Sequence, residues 1–294
     1  MDSPSSLSSY EYDENSLSPM TLSIKSPVVV SYNDMKASLT DYGIFEPDKI
    51  LNDDEERGVC IFKKDSLKYV LKMGNREDRD DTTKYTLLQK EDENYKELNK
   101  LNKPQYFPKI YDSGDIDKEF YFILMEFIEG KTLFDYVNGA LTSKTSNSDK
   151  EVLTILLNLT EALNALWSGG IVHNDLSLEN VMVEADLNVK LIDFEKSSKN
   201  TDVRFNTIGS MKQGIGYLYL LTMTLKTVKD TTKYATLLEE ITSEVNECKD
   251  PKCLTVYAKC IDHIKAALST TGGKRKKSRR RNRTKNKKSK TRRN

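Results

Sequence analysis

Ile171-Val172-His173-Asn174-Asp175-Leu176-Ser177-Leu178-Glu179-Asn180-Val181-Met182-Val183 is the stretch on which the reading of this chain turns. An apolar pair leads into a polar loop holding one His, one Asp and one Asn, and a β-rich apolar run follows. Thirteen residues after Asn180 comes Asp193, within Val189-Lys190-Leu191-Ile192-Asp193-Phe194-Glu195. There an apolar strand ends in an Asp-Phe pair. A lone Asp-Phe pair carries no information, and a polar loop between a helix and a strand is ordinary. Both in order, each on the element that suits it, form a strong signal.

The helix before the loop is well marked. Ser148 with Glu151 makes a capping-box pattern, and Val152, Leu156, Leu159, Leu163 and Leu166 form its apolar stripe. Gly169-Gly170 ends it. Further upstream the texture is β-rich, with short runs at 28–32, 58–63, 68–73 and 120–127. The runs 58–62 and 67–71 flank a Lys-Lys-Asp-Ser turn and read as a hairpin. Residues 87–101 read as a helix, because Leu88, Glu91, Tyr95 and Leu98 recur on one face. Downstream, helices are expected over 214–225, 233–247 and 254–268. Periodicity alone therefore specifies an α+β chain, strand-rich first and helical second.

Charge is divided along the chain. Residues 274–294 carry 14 Lys and Arg and no acid, whereas the remainder has 32 basic against 45 acidic residues, a balance of −13. An acidic body behind a basic tail suggests that the tail has its own partner. The tail follows a Gly-Gly hinge and has no aromatic residue to stack on bases. It reads as disordered from 272 and suited to non-specific binding of nucleic acid or another anionic partner, or to nuclear localisation. Tails of similar composition occur in proteins of large DNA viruses. Residues 1–27 are rich in Ser, Pro, Asp and Glu and read as disordered. Their Ser-Pro pairs are common in such tails and also suit a proline-directed kinase. No segment reaches the roughly 20 apolar residues of a membrane span, and the N-terminus lacks the pattern of a secretory signal. Four cysteines, Cys60, Cys248, Cys253 and Cys260, make no dense framework, so an intracellular, reducing compartment is expected. Their spacing with His263 fits no common zinc pattern, and buried free thiols are the better reading.

The first stretch resembles the protein-kinase catalytic loop, H-R-D-L-x-x-x-N. That resemblance makes Asp175 the catalytic base for a substrate hydroxyl, Asn180 a ligand of a second Mg²⁺ and His173 a structural member of the loop. One short loop then presents a carboxylate to the nucleophile and an amide to the metal. The second stretch is similar to the kinase D-F-G motif, with Glu195 in place of Gly. It implies that Asp193 chelates the Mg²⁺ bridging the β- and γ-phosphates. Tyr69-Val70-Leu71-Lys72 resembles the third-strand V-A-I-K, which implies that Lys72 holds the α- and β-phosphates and that Val70 covers the adenine. Glu91, Glu93 and Glu97 compete as the partner of Lys72. Glu91 is preferred because it shares the apolar stripe. Glu93 and Glu97 lie among Lys96 and Lys100, where i,i+3 and i,i+4 ion pairs account for them. The run from Phe122 to Leu133 resembles the fifth strand and hinge. By that likeness Met125 is the gatekeeper, the backbone of Glu126 and Ile128 meets the adenine edge, and Met182 is the apolar floor.

The departures are specific. Only Gly58 remains of the glycine-rich phosphate loop, beside four acidic residues at 53–56. Ser177 stands where serine/threonine kinases have a lysine that steadies the transferring phosphate. The Ala-Pro-Glu motif is absent, and the helix at 214–225 lacks the usual acidic residue at its start. The resemblance implies a two-lobed domain over 28–271. Its small β-rich lobe, with one main helix, runs to about residue 125, and a minimal helical lobe starts from about 129. It also implies ATP and Mg²⁺ as cofactors and a protein Ser/Thr hydroxyl as acceptor. A pseudokinase that binds nucleotide or acts as a scaffold is the alternative, and so is a small-molecule kinase of the choline or aminoglycoside type. Against the latter, 131–172 is short for the helical insert such enzymes use.

Overall fold

A computed structural model of the chain describes residues 48–54, 57–64, 66–75, 84–116, 120–199, 203–247 and 255–271. The N-terminal segment, the expected strand at 28–32, Cys248, Cys253 and the basic tail lie outside the described residues.

Strands β1 (Lys49–Asp54), β2 (Arg57–Lys64), β3 (Leu67–Asn75), β4 (Ile110–Ile116) and β5 (Phe120–Glu126) form an antiparallel sheet in the order β1-β2-β3-β5-β4. The β2–β3 ladder closes on Lys64 opposite Leu67. Its turn is therefore tighter than the expected four residues, with Ser66 at φ 69°, the left-handed backbone that two-residue hairpin turns use. Side chains alternate between faces along a strand, and β5 shows the consequence. Phe120, Phe122 and Leu124 pack with Cys60, Phe62, Leu71 and Met73 on one side. Tyr121, Ile123 and Met125 join the large core on the other. Val70 pairs with Met125, and Lys72 with Ile123. Directly opposed residues share a face, so all four point toward the large core.

Helix α1 (Lys84–Lys100) packs against β3 and β5. It buries Leu88, Tyr95 and Leu98, none more than 2% exposed. Beyond β5 the chain turns helical. Helix α2 (Leu133–Thr142) starts at Thr132, whose hydroxyl accepts from the Asp135 N–H. Helix α3 (Asp149–Ser168) opens with the capping box complete, and all five residues of the expected stripe are 0% exposed. Helix α4 (Val203–Leu225) begins well before the expected residue 214. A 3₁₀ turn (Thr232–Tyr234) leads into α5 (Ala235–Glu247), and α6 (Val256–Thr271) closes the described chain against α3. Between these helices run β6 (Gly130–Thr132), β8 (Val181–Glu184) and β9 (Val189–Leu191), a small sheet in the order β6-β8-β9. Strands β7 (Ile171–Val172) and β10 (Ser198–Lys199) pair separately.

A β-rich lobe with one main helix thus sits on a mainly helical lobe, the α+β arrangement expected. Strands β1 and β4 and helix α2 were not expected. The β4 sequence IYDSGDI shows no clean alternation, and β1 is an edge strand held by its ladder to β2. No helix among the described residues is long and apolar enough to cross a membrane.

Candidate active site

Lys72 is the meeting point of three elements. From β3 it places Nζ 2.6 Å from Glu91 Oε1 on α1 and 3.3 Å from Asp193 Oδ1 beyond β9. Glu91 is 0% exposed and Lys72 9%. Of the three competing glutamates, Glu91 is the one that reaches Lys72. Glu97 pairs with Lys100 and Lys199, which hold its carboxyl below the usual range, and Glu93 is exposed. Asp193 adopts φ 65°, a conformation that costs a non-glycine residue on the order of 1–3 kcal/mol and persists only where the surroundings hold it. They do: the Ile192 N–H donates to the Asn180 carbonyl at 3.0 Å, and Asn94 Nδ2 donates to the Phe194 carbonyl at 2.7 Å. Glu195 needs no glycine, because its backbone is not left-handed.

The loop between β7 and β8 brings Asp175 and Asn180 to the same place. Asn180 Nδ2 donates to the Asp175 carbonyl at 2.9 Å. The amide nitrogen is thereby engaged, and the amide oxygen is turned the other way. Asp193 follows Ile192, whose N–H bonds the Asn180 carbonyl, so a carboxylate and an amide oxygen make the donor set hard oxygen. This fits Mg²⁺, which takes one or two carboxylates from a protein and completes its shell with phosphates and water. Asp175 Oδ2 accepts from Lys196 Nζ at 3.0 Å. Lys196 was not singled out in the sequence.

Phe194 is fully buried and joins the two lobes. Its ring meets Tyr95 of α1 at 5.3 Å, Phe107 at 5.9 Å and His173 at 4.7 Å between centroids. His173 is buried, and Nε2 lies 3.0 Å from the Ile192 carbonyl. Burial pushes its imidazole below the ordinary 6.5, so it acts as a neutral structural ring. Its backbone N–H donates to Gln213 Oε1 of α4 at 2.9 Å. That amide oxygen stands one residue before where the helix was expected to begin. Asn174, where the family pattern has Arg, sits at φ 63° and donates from Nδ2 to the Lys196 carbonyl at 3.0 Å and to Ser198 Oγ at 2.8 Å.

The remaining expected residues lie on β2, β3, β5 and β8 and just past the end of β5. Val70 is half-buried, Met125 is 4% exposed, and Met182 is half-buried on the face of β8 opposite the core residues Val181 and Val183. Ile128 is buried. The Glu126 N–H donates to the Lys109 carbonyl at 2.8 Å. Its carboxylate takes Lys190 Nζ at 2.5 Å and the Lys109 N–H at 3.0 Å. The expected adenine contact through Glu126 narrows to its carbonyl. Gly58 pairs with Met73 and Asp53. The β1–β2 ladder runs on to Asp54 opposite Arg57, so that connection is two residues long. Cys260 is buried in α6 and its thiol is pushed up to about 12 by burial. Among the described residues no group of three or more His, Cys, Asp and Glu is placed to hold a metal ion; Cys248 and Cys253 of the cysteine pattern lie outside them.

A lysine held by a helix glutamate, an aspartate after an apolar strand and an Asp-to-Asn loop define the site of a phosphotransferase-like protein kinase fold. A family model for the protein kinase domain matches residues 58–212, and the chain belongs to that family. It is 30% identical over 156 residues to the mouse (Mus musculus) "Sperm motility kinase Tcr mutant form", covering 46% of this chain and 31% of that protein. It is 31% identical over 111 residues to serine/threonine-protein kinase PrkC of Bacillus subtilis, covering 37% and 16%. With serine/threonine-protein kinase 1 of Heliothis zea nuclear polyhedrosis virus it shares 38% over 90 residues, covering 31% and 32%. The chain spans no more than about a third of the length of these relatives.

A Cβ on Gly216 of α4 would sit 2.8 Å from Leu176 Cβ and 3.2 Å from its carbonyl, whereas one on Gly139 of α2 meets nothing within 4 Å. Helix propensity favours Ala over Gly by about 1 kcal/mol, and overpacking costs roughly 1–3 kcal/mol. Gly139→Ala should raise the urea midpoint and Gly216→Ala should lower it; a rise in both would mean that α4 does not press on the loop. The second prediction concerns His173. Between pH 6.5 and its depressed folded value, the unfolded chain binds a proton that the folded chain does not, so stability falls as pH drops through that window. Urea titrations of wild type and His173→Phe at about pH 7.5 and about pH 5.5 read this directly. The variant should lose less stability on acidification, and equal losses would contradict a buried neutral imidazole.

Proposed function

We propose that this protein transfers the γ-phosphate of Mg·ATP to a serine or threonine hydroxyl of another protein. The observation that carries the reading is Lys72 paired with both Glu91 and Asp193, beside the Asp175–Asn180 loop. Lys72, held by Glu91, binds the α- and β-phosphates. Val70 and Met182 enclose the adenine, with Met125 behind it, while the Glu126 carbonyl and the Ile128 backbone meet its edge. Asp193 and the Asn180 amide oxygen hold Mg²⁺, which when bound neutralises charge on the phosphates. Asp175 accepts the proton of the attacking hydroxyl. The serine/threonine kinases among the relatives support the choice of acceptor.

A second reading is favoured by the β1–β2 connection. Gly58 is the only glycine left beside it, and main chain without glycine approaches phosphates less closely, which suits a module that binds nucleotide without turnover. The tail at 274–294, with its 14 basic residues, suits an anionic partner bound by charge and salt-dependent in consequence.

Incubation with γ-labelled ATP, Mg²⁺ and casein separates the readings: label on protein supports transfer, and ATP binding without label supports the second. Asp175→Asn should lower the rate by about 10²–10⁴-fold while keeping ATP affinity. Asp193→Ala should instead lose Mg²⁺-dependent nucleotide binding. An Asp175→Asn protein at wild-type rate would remove the base assignment.

A further inference from the structure

Position 177 leaves the proposed reaction short of a charge. A phosphoryl group in transfer spreads negative charge over its oxygens, and catalysis depends on cations placed where that charge develops. Ser177 offers only a hydroxyl. Lys72 is engaged on the other side, with Glu91 and Asp193.

We infer that Lys196 supplies the missing cation, reaching the transferring phosphate from the segment after Asp193 instead of from the catalytic loop. The inference rests on the kinase reading above. Lys196 Nζ lies 3.0 Å from Asp175 Oδ2, so it already stands at the carboxylate that the acceptor hydroxyl must approach. It is three residues past Asp193, the proposed metal ligand. The two ends of Lys196 differ in a way that suits this work. Its backbone is pinned: the carbonyl accepts from Asn174 Nδ2 at 3.0 Å. The adjoining Ser197 is 0% exposed and donates from Oγ to the His173 carbonyl at 3.2 Å and from its N–H to the Phe194 carbonyl at 3.1 Å. Asn94 Nδ2 donates to the Ser197 carbonyl at 3.2 Å, and Ser198 enters the ladder with Val172. The side chain, in contrast, is 61% exposed. Lys199, three residues on, turns away to Glu97 at 2.8 Å.

An exposed ion pair contributes only about 0–1 kcal/mol to stability, which is a poor reason for such anchoring. Contact with Asp175 raises the Lys196 pKa above its ordinary value, so the side chain stays charged at neutral pH. When Mg·ATP and the acceptor bind, Lys196 moves from Asp175 to the γ-phosphate oxygens, and Oδ2 becomes available to the hydroxyl. The bond from the γ-phosphorus to the β–γ bridging oxygen then breaks as the acceptor oxygen–phosphorus bond forms. The electron pair leaves with ADP, the hydroxyl proton passes to Asp175, and Lys196 keeps its own protons throughout.

The test compares wild type, Lys196→Ala, Lys196→Arg and Lys196→Ala/Ser177→Lys, with γ-labelled ATP, Mg²⁺ and casein, alongside Mg·ATP affinity. Lys196→Ala should lower kcat by about 10²-fold, the loss seen when one group stabilising transition-state charge is removed, with affinity unchanged. Arg at 196, or the lysine moved to 177, should recover most of it, because charge and not shape is what is missing. Lys196→Ala with wild-type kcat overturns this inference alone. So does a kcat loss that neither replacement restores, which would mark Lys196 as structural. A wild type that binds Mg·ATP and labels nothing overturns the kinase reading, and this inference with it.

Discussion

The Lys72–Glu91 ion pair is the constraint on which the rest of the site depends. Two opposite charges are almost fully removed from water at 2.6 Å. Stripping one partner from such a pair costs about 3–5 kcal/mol, because the other charge is then left buried alone. The pair therefore fixes how α1 lies on the sheet. Glu91 reaches Lys72 only if Leu88, Tyr95 and Leu98 seat against the large core, and Lys72 faces α1 only if β3 keeps its register against β5. A one-residue slip would turn Lys72 into the smaller core against Cys60, Phe62 and Phe122, and would turn Leu71 and Met73 out of it. Asp193, at 3.3 Å on the other side of Lys72, ties the same cation to the helical lobe.

Aromatic packing carries that constraint onward. Phe194 stands between Tyr95 of α1 and His173 of the catalytic loop, with Phe107 alongside. The Tyr95 and Phe107 contacts are edge-to-face, and such pairs contribute roughly 0.5–1.5 kcal/mol beyond burial. The left-handed backbone of Asp193 is the cost of turning its carboxylate to Lys72 while Phe194 points into the core. Gln213 and Gly216 of α4 complete the support, one by accepting the His173 N–H and the other by letting the helix approach Leu176.

The parts of this arrangement legible in the sequence are those where chemistry dictates residue type and spacing. The Asp175–Asn180 loop and the Asp193–Phe194 pair could be read as motifs, and Glu91 could be chosen over Glu93 and Glu97 because helical periodicity puts it on the apolar face. What could not be read was decided by partners distant along the chain. The polar edge β4 is a strand because β5 pairs with it, and Gln213 anchors a loop 40 residues earlier. Lys196 meets a carboxylate 21 residues away. No local pattern marks such residues. The family departure at Ser177 is the one sequence feature on which the Lys196 proposal draws.

The most direct measurement is a double-mutant cycle on the phosphotransfer rate with Lys72→Met, Glu91→Gln and both together. If Glu91 acts by holding Lys72, the two changes are strongly non-additive: the double variant should be no slower than Lys72→Met alone. Losses that simply multiply would show that Glu91 and Lys72 act independently, and would contradict a site organised around their pairing.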